Sequence, residues 1–199
     1  MKNKGSQKQK KRDKTLTEKY ILEKTFTKPV CLWTYEGGIA VKEDIKVLQF
    51  DISIGDDRIL KKVEVLFAFP REAYDDVKKG IKVNKKIKAE QHKPIVKPKD
   101  RPAVVSSERE YIRGTGKAVK ITLRTGHVLR GHQVYSTRYN IILKINDKTV
   151  LVYKHGILEY KRPNNKAGAA NTDSKAGAAN ANKTTKEQPP VTMEVKVID

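Results

Sequence analysis

Cysteine, aromatic residues and long apolar runs are all scarce in this sequence of 199 residues. Cys31 is its single cysteine, which excludes an internal disulfide and a zinc site built on cysteine ligands. Aromatic residues make up only 7%, so a large rigid core is not expected. No apolar run approaches the ~20 residues of a membrane helix, and Met1 is followed by lysines rather than by a hydrophobic stretch. We therefore expect a protein of a reducing compartment, the cytoplasm, with no secretory signal and no membrane span.

Acidic residues are also few beside the basic ones. Lysine and arginine number 43 against 23 aspartates and glutamates, which gives a formal net charge of +20. The excess is uneven: residues 15–76 sum to −3, whereas residues 111–162 carry eleven basic and two acidic groups. Such a bias is atypical of an enzyme and indicates a polyanionic partner, for which the second of these segments is the better candidate.

Hydrophobic patterning divides the chain into five segments. Residues 1–14 have no apolar residue after Met1 and predict a disordered basic arm. Residues 15–80 predict a small β-rich domain, and residues 81–105, dense in lysine and proline, a basic linker. Residues 106–162 predict a second folded domain. Residues 163–199 predict a disordered low-complexity tail, although the last nine residues alternate enough to allow a strand.

Alternation within residues 15–80 is clearest at residues 46–54. It predicts one strand with four apolar side chains on one face: Leu48, Phe50, Ile52 and Ile54. Further strands are expected near residues 30–33 and 63–69, and a short helix at residues 71–79. No catalytic constellation is visible in this segment.

Residues 106–162 predict one short helix followed by five strands. Ser107-x-x-Glu110 fits a capping box, and Gly114 and Gly116 end the helix. Strands are expected from about residue 118 to the Thr125-Gly126 turn, and at residues 128–136, 139–145, 149–153 and 157–160. Five short antiparallel strands in so short a span predict a strongly bent sheet or small barrel, and a mainly β protein.

Three motifs in this segment share their order and spacing with one known family. They are Ile121-x-Leu123-x-x-Gly126-x-x-Leu129-x-Gly131, Tyr139-x-Ile141-Ile142-Leu143-Lys144, and Val152-Tyr153-Lys154-His155-Gly156-Ile157. Together they make residues 107–160 resemble the bacterial Sm-like RNA chaperone Hfq. The third motif is the most specific of the three, and the resemblance covers about a quarter of the chain.

The resemblance implies an Sm-like fold for residues 106–162, with a short N-terminal helix and a five-stranded bent antiparallel sheet. It also implies a homo-oligomeric ring, expected to be a hexamer, in which the fourth strand of one subunit pairs with the fifth strand of the next. Single-stranded, uridine-rich RNA would bind around the pore through Tyr139, Arg138, Lys154 and His155, and Arg130 would lie on the opposite face. A tyrosine ring can stack on a base, and lysine and histidine can bond phosphate, a base carbonyl or a 2′-hydroxyl.

The family's usual residues are replaced at several of these positions. Thr137 stands in place of an acidic residue, and Arg138 in place of a glutamine, which exchanges base discrimination for phosphate attraction. On the opposite face, Arg130 and Thr122 stand where the family reads adenines with a glutamine and an aromatic residue.

These features support two hypotheses from different classes. The first is a non-enzymatic RNA-binding protein, an RNA chaperone or post-transcriptional regulator, without cofactor or metal, since His127 and His132 lack further ligands at metal spacing. The second is a scaffold that uses the ring only to oligomerise and recruits a protein partner through the N-terminal domain. A third idea is that residues 20–70 form a diverged second Sm-like unit, although they lack the Gly and Tyr-Lys-His motifs.

Overall fold

The fold is mainly β. The computed structural model describes residues 14–97 and 110–162, and the backbone of residues 195–198. A large, predominantly antiparallel sheet of ten strands is accompanied by a small sheet of three. The strands are β1 (Val30–Thr34), β2 (Gly38–Val41), β3 (Ile45–Val47), β4 (Asp51–Ile54), β5 (Arg58–Lys61), β6 (Val65–Pro70), β7 (Ile81–Val83), β8 (Lys117–Leu123), β9 (His127–Ser136), β10 (Asn140–Ile145), β11 (Lys148–Tyr153), β12 (Ile157–Lys161) and β13 (Val195–Ile198).

The described helical segments are short. They are the 3-10 turn Lys14–Leu16, α1 (Glu18–Tyr20) with the π-helical turn Ile21–Thr25, the 3-10 turn Lys62–Glu64, the 3-10 turn Arg71–Ala73 with α2 (Tyr74–Lys79), α3 (Lys85–Ala89), a helical turn at residues 110–113, and the 3-10 turn Lys154–Gly156. Thr17 caps α1, because its side chain accepts a hydrogen bond from the Tyr20 N–H. Asn84 caps α3 in the same way, by accepting from the N–H groups of Lys86 and Ile87.

The large sheet joins the two parts of the chain that the sequence presents as separate domains. Its order is β12-β8-β9-β10-β11-β6-β1-β2-β13, with β7 also paired to β9. We call the antiparallel contact between β6 and β11 the strand junction; it sets Leu151 opposite Ala68 and Val152 opposite Phe67. All four side chains are fully buried. Because β6 occupies its edge, β11 is not available to pair with a strand of another subunit as the resemblance implies.

Both hydrophobic cores draw on both parts of the chain. One contains Phe67 of β6 together with Val152 of β11, and the other contains Ala68 together with Leu151. Neighbouring residues of a strand point to opposite faces, so the junction contributes to the core on each side of the sheet.

The strand pattern predicted for residues 106–162 is confirmed. β8 to β12 each begin and end within about one residue of the expected bounds. The helix expected at residues 71–79 is present as the 3-10 turn Arg71–Ala73 and α2. The capping Ser107 lies outside the described residues.

The prediction of a single strand at residues 46–54 is wrong. β3 ends at Val47 and β4 begins at Asp51, and the Leu48 N–H donates to the Asp51 carbonyl across the connection at 3.0 Å. Ile52 and Ile54 are buried as expected, whereas Leu48 and Phe50 are exposed. The turn interrupts the strand, so alternation in the sequence no longer places all four side chains on one face.

The first part of the predicted linker is folded. β7 pairs with β9, which sets Ile81 opposite Leu129, and α3 follows directly. Ile81 is buried while Lys82 points outward, so an edge strand fits even this lysine-rich stretch. The basic arm at residues 1–13, the linker at residues 98–105 and the tail at residues 163–194 lie outside the described residues. Residues 195–198 of the predicted tail form β13, parallel to β2.

Membrane-spanning helices are not found in the described part of the chain, where no helix is both long enough and apolar enough to cross a bilayer.

Candidate functional site

The predicted stacking residue Tyr139 lies on a short, well-braced loop. We call residues 137–139, between β9 and β10, aromatic loop C. The Thr137 N–H donates to the Asn140 carbonyl at 2.8 Å, and the Asn140 N–H donates back to the Thr137 hydroxyl at 2.9 Å. The Tyr139 side chain is nevertheless 61% exposed. Its backbone is therefore fixed while much of its ring stays accessible, as a stacking platform requires.

Arg138 lies beside that ring. Its guanidinium carbon is 5.3 Å from the centroid of the Tyr139 ring, within the range of a cation–π contact. Arg138 is itself exposed. A planar cation next to an exposed ring presents both a positive charge and a π surface, and these are the groups that phosphate and nucleobases contact.

Lys154 is held against the same loop by two hydrogen bonds. Its backbone N–H donates to the Tyr139 carbonyl at 2.8 Å, and its Nζ donates to the Thr137 carbonyl at 2.5 Å. The Nζ also lies 4.6 Å from the centroid of the Tyr111 ring. The structure therefore places Lys154 against the loop that carries Tyr139, with the Lys154 side chain half-buried and engaged in protein contacts.

His155 lies at the strand junction. Its Nε2 is 2.8 Å from the Val65 carbonyl at the start of β6. Because a carbonyl oxygen can only accept, this nitrogen carries the proton and donates. The His155 ring also lies 5.5 Å from the Tyr153 ring. His155 thus follows Lys154 along the chain, but one of its ring nitrogens forms a hydrogen bond that joins the two parts of the protein.

Tyr153, the first residue of the Tyr-Lys-His motif, is buried in the same region. Its hydroxyl donates to Glu18 Oε1 at 2.8 Å, and Lys62 Nζ lies 3.1 Å from Glu18 Oε2. Burial raises the pKa of the Tyr153 phenol well above its usual value, and the charge of Glu18 and the hydrogen bond to it raise it further. A carboxylate of α1 therefore holds the end of β11 and the turn before β6 at once.

Arg130, the remaining predicted site residue, is not brought to the loop. It is exposed on β9, opposite Lys120 of β8. It lies six positions before the end of β9 at Ser136, roughly 20 Å of extended strand. Arg130 and Lys120 therefore form a basic surface apart from Tyr139.

The structure adds an aromatic residue that sequence reasoning placed in the core. We call residues 48–50, between β3 and β4, aromatic loop N. Phe50 is 71% exposed there, more than Tyr139. The Leu48 N–H donates to the Asp51 carbonyl and the Lys62 N–H to the Phe50 carbonyl, at 3.0 and 2.9 Å.

The backbone bonds of the two loops correspond one to one. The hydrogen bond from the Leu48 N–H to the Asp51 carbonyl corresponds to the one from the Thr137 N–H to the Asn140 carbonyl in aromatic loop C. Likewise, the Phe50 carbonyl accepts from the Lys62 N–H as the Tyr139 carbonyl accepts from the Lys154 N–H. In the sequence, this correspondence is visible as the similarity of the run Phe50-Asp51-Ile52 to the run Tyr139-Asn140-Ile141.

The side chains of these loops have the chemistry to recognise a polyanion. Exposed rings, an arginine and a lysine can stack on and neutralise a polyanion. Within the described residues, no three histidine, cysteine, aspartate or glutamate side chains lie close enough to hold a metal ion. No model of a known protein family matches this chain.

Proposed function

We propose that this protein binds single-stranded RNA, with Tyr139 as a base-stacking platform, and acts without enzymatic activity as a cytoplasmic RNA chaperone or post-transcriptional regulator. The observation that carries the proposal is the exposed Tyr139 ring on a hydrogen-bonded loop, beside Arg138 and Lys154. These residues belong to the segment 111–162, with its eleven basic and two acidic groups. A uridine-rich strand is the expected ligand, as the resemblance of the Tyr-Lys-His motif implies.

The strand arrangement of residues 110–162 supports an Sm-like fold for this segment. A helical turn precedes five strands, and their order in the sheet is fifth, first, second, third, fourth: β12-β8-β9-β10-β11. The register of β9 against β10 shifts between Ile142 and Leu143, which fits the strong bend expected of such a sheet.

The four residues proposed to face RNA differ in how much of each side chain is available. Tyr139 and Arg138 are exposed, whereas Lys154 and His155 are half-buried. We therefore assign stacking to Tyr139 and phosphate attraction first to Arg138. Lys154 contributes its charge beneath the loop, and Arg130 lies on a separate basic surface.

The test is binding of a fluorescent oligouridine, followed by anisotropy at several salt concentrations. Tyr139→Ala should weaken binding roughly 5- to 150-fold, which corresponds to ~1–3 kcal/mol for one stacked base. Tyr139→Phe keeps the ring and should bind nearly as the wild type. Tyr20→Ala removes another exposed tyrosine far along the sequence and serves as the matched control. Equal affinity of Tyr139→Ala and wild type would remove the proposed site.

A scaffold that binds a protein partner instead is favoured by one observation. Lys154 and His155 both make protein contacts, to the carbonyls of Thr137 and Val65. If these contacts are their whole role, oligouridine binding should be weak and the partner interface mainly apolar. Salt separates the two functions, since phosphate contacts lose affinity steeply as salt rises and an apolar interface does not.

A further inference from the structure

Elements of residues 30–70, in both sheets, recur in residues 117–161 at two closely similar spacings. β2 begins at residue 38 and β9 at 127, and β4 begins at 51 and β10 at 140, an offset of 89 in both cases. The 3-10 turns begin at residues 62 and 154, and the strands that follow, β6 and β12, at 65 and 157, an offset of 92 in both cases. The offset changes once, across the hairpins β4–β5 and β10–β11.

Strand register repeats at the same offsets. Asp51 pairs with Lys61 as Asn140 pairs with Tyr153. The pairs Val65–Thr34 and Phe67–Trp33 recur as Ile157–Leu123 and Glu159–Thr122, and the irregularity between the two pairs recurs as well. The register of paired strands is set by the hydrophobic pattern and by the geometry of the turns, so equal register over several strand pairs indicates two copies of one structural unit.

This correspondence identifies the counterparts of the strand junction. β5 is the counterpart of β11, and β12 is the counterpart of β6. The junction pairs β11 with β6 inside the chain, but β5 ends the small sheet and β12 ends the large one. Among the described strands, none pairs with the outer edge of either. One chain therefore presents both halves of a second junction, at two different places.

We propose that copies of this chain associate head to tail, with β5 of one copy pairing antiparallel with β12 of the next in the register of the strand junction. Ile59 of one copy would lie opposite Tyr160 of the next, as Leu151 lies opposite Ala68 in the strand junction. Leu60 would lie opposite Glu159, as Val152 lies opposite Phe67. The two partner surfaces differ, so repetition gives a closed ring if the rotation closes and a filament if it does not. This proposal does not depend on RNA binding.

The exposure of apolar side chains on β5 and β12, compared with their buried counterparts in the strand junction, supports the proposal. Leu151 is 0% exposed in the junction, whereas its counterpart Ile59 is 67% exposed on β5. Leu66 of β6 is likewise buried, whereas its counterpart Leu158 on β12 is exposed. Apolar side chains on unpaired edge strands are a template for pairing with another chain, and head-to-tail association would cover both.

Charge gives the proposed interface a specific weakness. The same register sets Arg58 of one copy opposite Lys161 of the next. Like charges directly opposite each other across antiparallel strands are destabilising. Association between copies should therefore be weaker than the junction within the chain, and reversal of one charge should tighten it.

The first experiment measures molar mass by light scattering over a range of protein concentrations, without RNA. The wild type should populate multiples of the 22.6 kDa chain. Ile59→Asp should shift it to single chains. Val96→Asp is the matched control, because Val96 is also 67% exposed but lies outside the sheets. A 22.6 kDa mass at every concentration, or equal loss of association in both variants, overturns the proposal.

The second experiment tests the register. Arg58→Glu should lower the dissociation constant between copies roughly 2- to 30-fold, because attraction to Lys161 replaces repulsion. Adding Lys161→Glu to that variant restores a like-charge pair and should cancel the gain. No change in Arg58→Glu, or a gain that survives in the double variant, contradicts the proposed register.

Cross-linking gives an independent measurement. The register sets Lys61 opposite Leu158, so a chain with Lys61→Cys and Leu158→Cys should oxidise to a ladder of covalent oligomers. Either substitution alone should yield no ladder beyond dimers, since Cys31 is buried and present in all variants. Absence of the ladder in the double variant counts against the pairing.

Discussion

Acid should destabilise this protein through a single histidine, His127 at the start of β9. Its ring lies edge-on to Trp33 at 5.5 Å and to Phe67 at 6.2 Å, and Nδ1 is 2.8 Å from the Thr125 hydroxyl. Burial in this cluster, together with the smaller effect of the nearby positive charge of Lys88, lowers the pKa of His127 to about 4. The folded protein therefore holds His127 neutral where an unfolded chain would protonate it.

The size and sign of the effect follow from linkage. Above pH ~6.5 His127 is neutral in both states, so it adds no pH dependence. Between pH ~6.5 and about 4 the unfolded state binds the proton first, so stability falls as the pH falls. A depression of the pKa from 6.5 to about 4 corresponds to a loss of about 3 kcal/mol by the lower end of this window. That is a large part of the ~5–15 kcal/mol by which native domains are stable.

Urea unfolding at pH 7, 6, 5 and 4 measures this loss when wild type and His127→Gln are compared. Carboxylates titrate in both proteins, so the difference between the two unfolding free energies isolates His127. From pH 7 to pH 4, the unfolding free energy of the wild type should fall by about 3 kcal/mol more than that of His127→Gln. Parallel pH profiles for the two proteins would refute the argument, since they would mean that the buried imidazole is protonated as easily in the fold as in the unfolded chain.

Three further substitutions test other parts of the structure. Phe50→Ala should weaken oligouridine binding by a factor similar to that of Tyr139→Ala if aromatic loop N also stacks bases, and anisotropy measures it; unchanged affinity would confine binding to aromatic loop C. Tyr153→Phe removes the hydroxyl bonded to Glu18 and should lower the free energy of unfolding by ~1.5–3 kcal/mol in urea; no loss would mean that the bond contributes nothing net. Gly126→Ala should lower it by ~1–3 kcal/mol, because Gly126 has φ +83° and a Cβ there would lie 2.7 Å from the Asn84 carbonyl oxygen; an unchanged thermal midpoint would contradict this.

Local patterns in the sequence were sufficient for the strands of residues 117–161. In β8, Val119, Ile121 and Leu123 alternate with polar residues, and all three are buried. The turns on either side have matching chemistry: Gly126 has a positive φ, and so do Asn146 and Asp147 between β10 and β11. Periodicity and turn residues therefore indicated the same boundaries.

The rest could not be predicted because it depends on contacts far apart along the chain. Alternation put Phe50 in a core, but alternation does not reveal that a turn interrupts the strand. The pairing of β6 with β11 joins residues more than 80 positions apart, and no local pattern encodes it. His155 was predicted from its motif as an RNA contact, whereas the carbonyl of Val65 that its ring contacts becomes visible only once the junction exists.

The junction changes how variants of the Tyr-Lys-His motif should be interpreted. The Tyr153 hydroxyl donates to Glu18, Lys154 Nζ donates to the Thr137 carbonyl and His155 Nε2 donates to the Val65 carbonyl of β6, so each of the three side chains helps to hold aromatic loop C or the two parts of the chain in place. Substitution of any of them is expected to disturb the loop or to weaken the fold, and a loss of RNA binding would then follow without any direct RNA contact. The Tyr139 side chain is exposed, so its truncation leaves these contacts intact. A binding defect in Tyr139→Ala with unchanged unfolding free energy therefore identifies a ligand contact, whereas the same defect in a His155 variant does not.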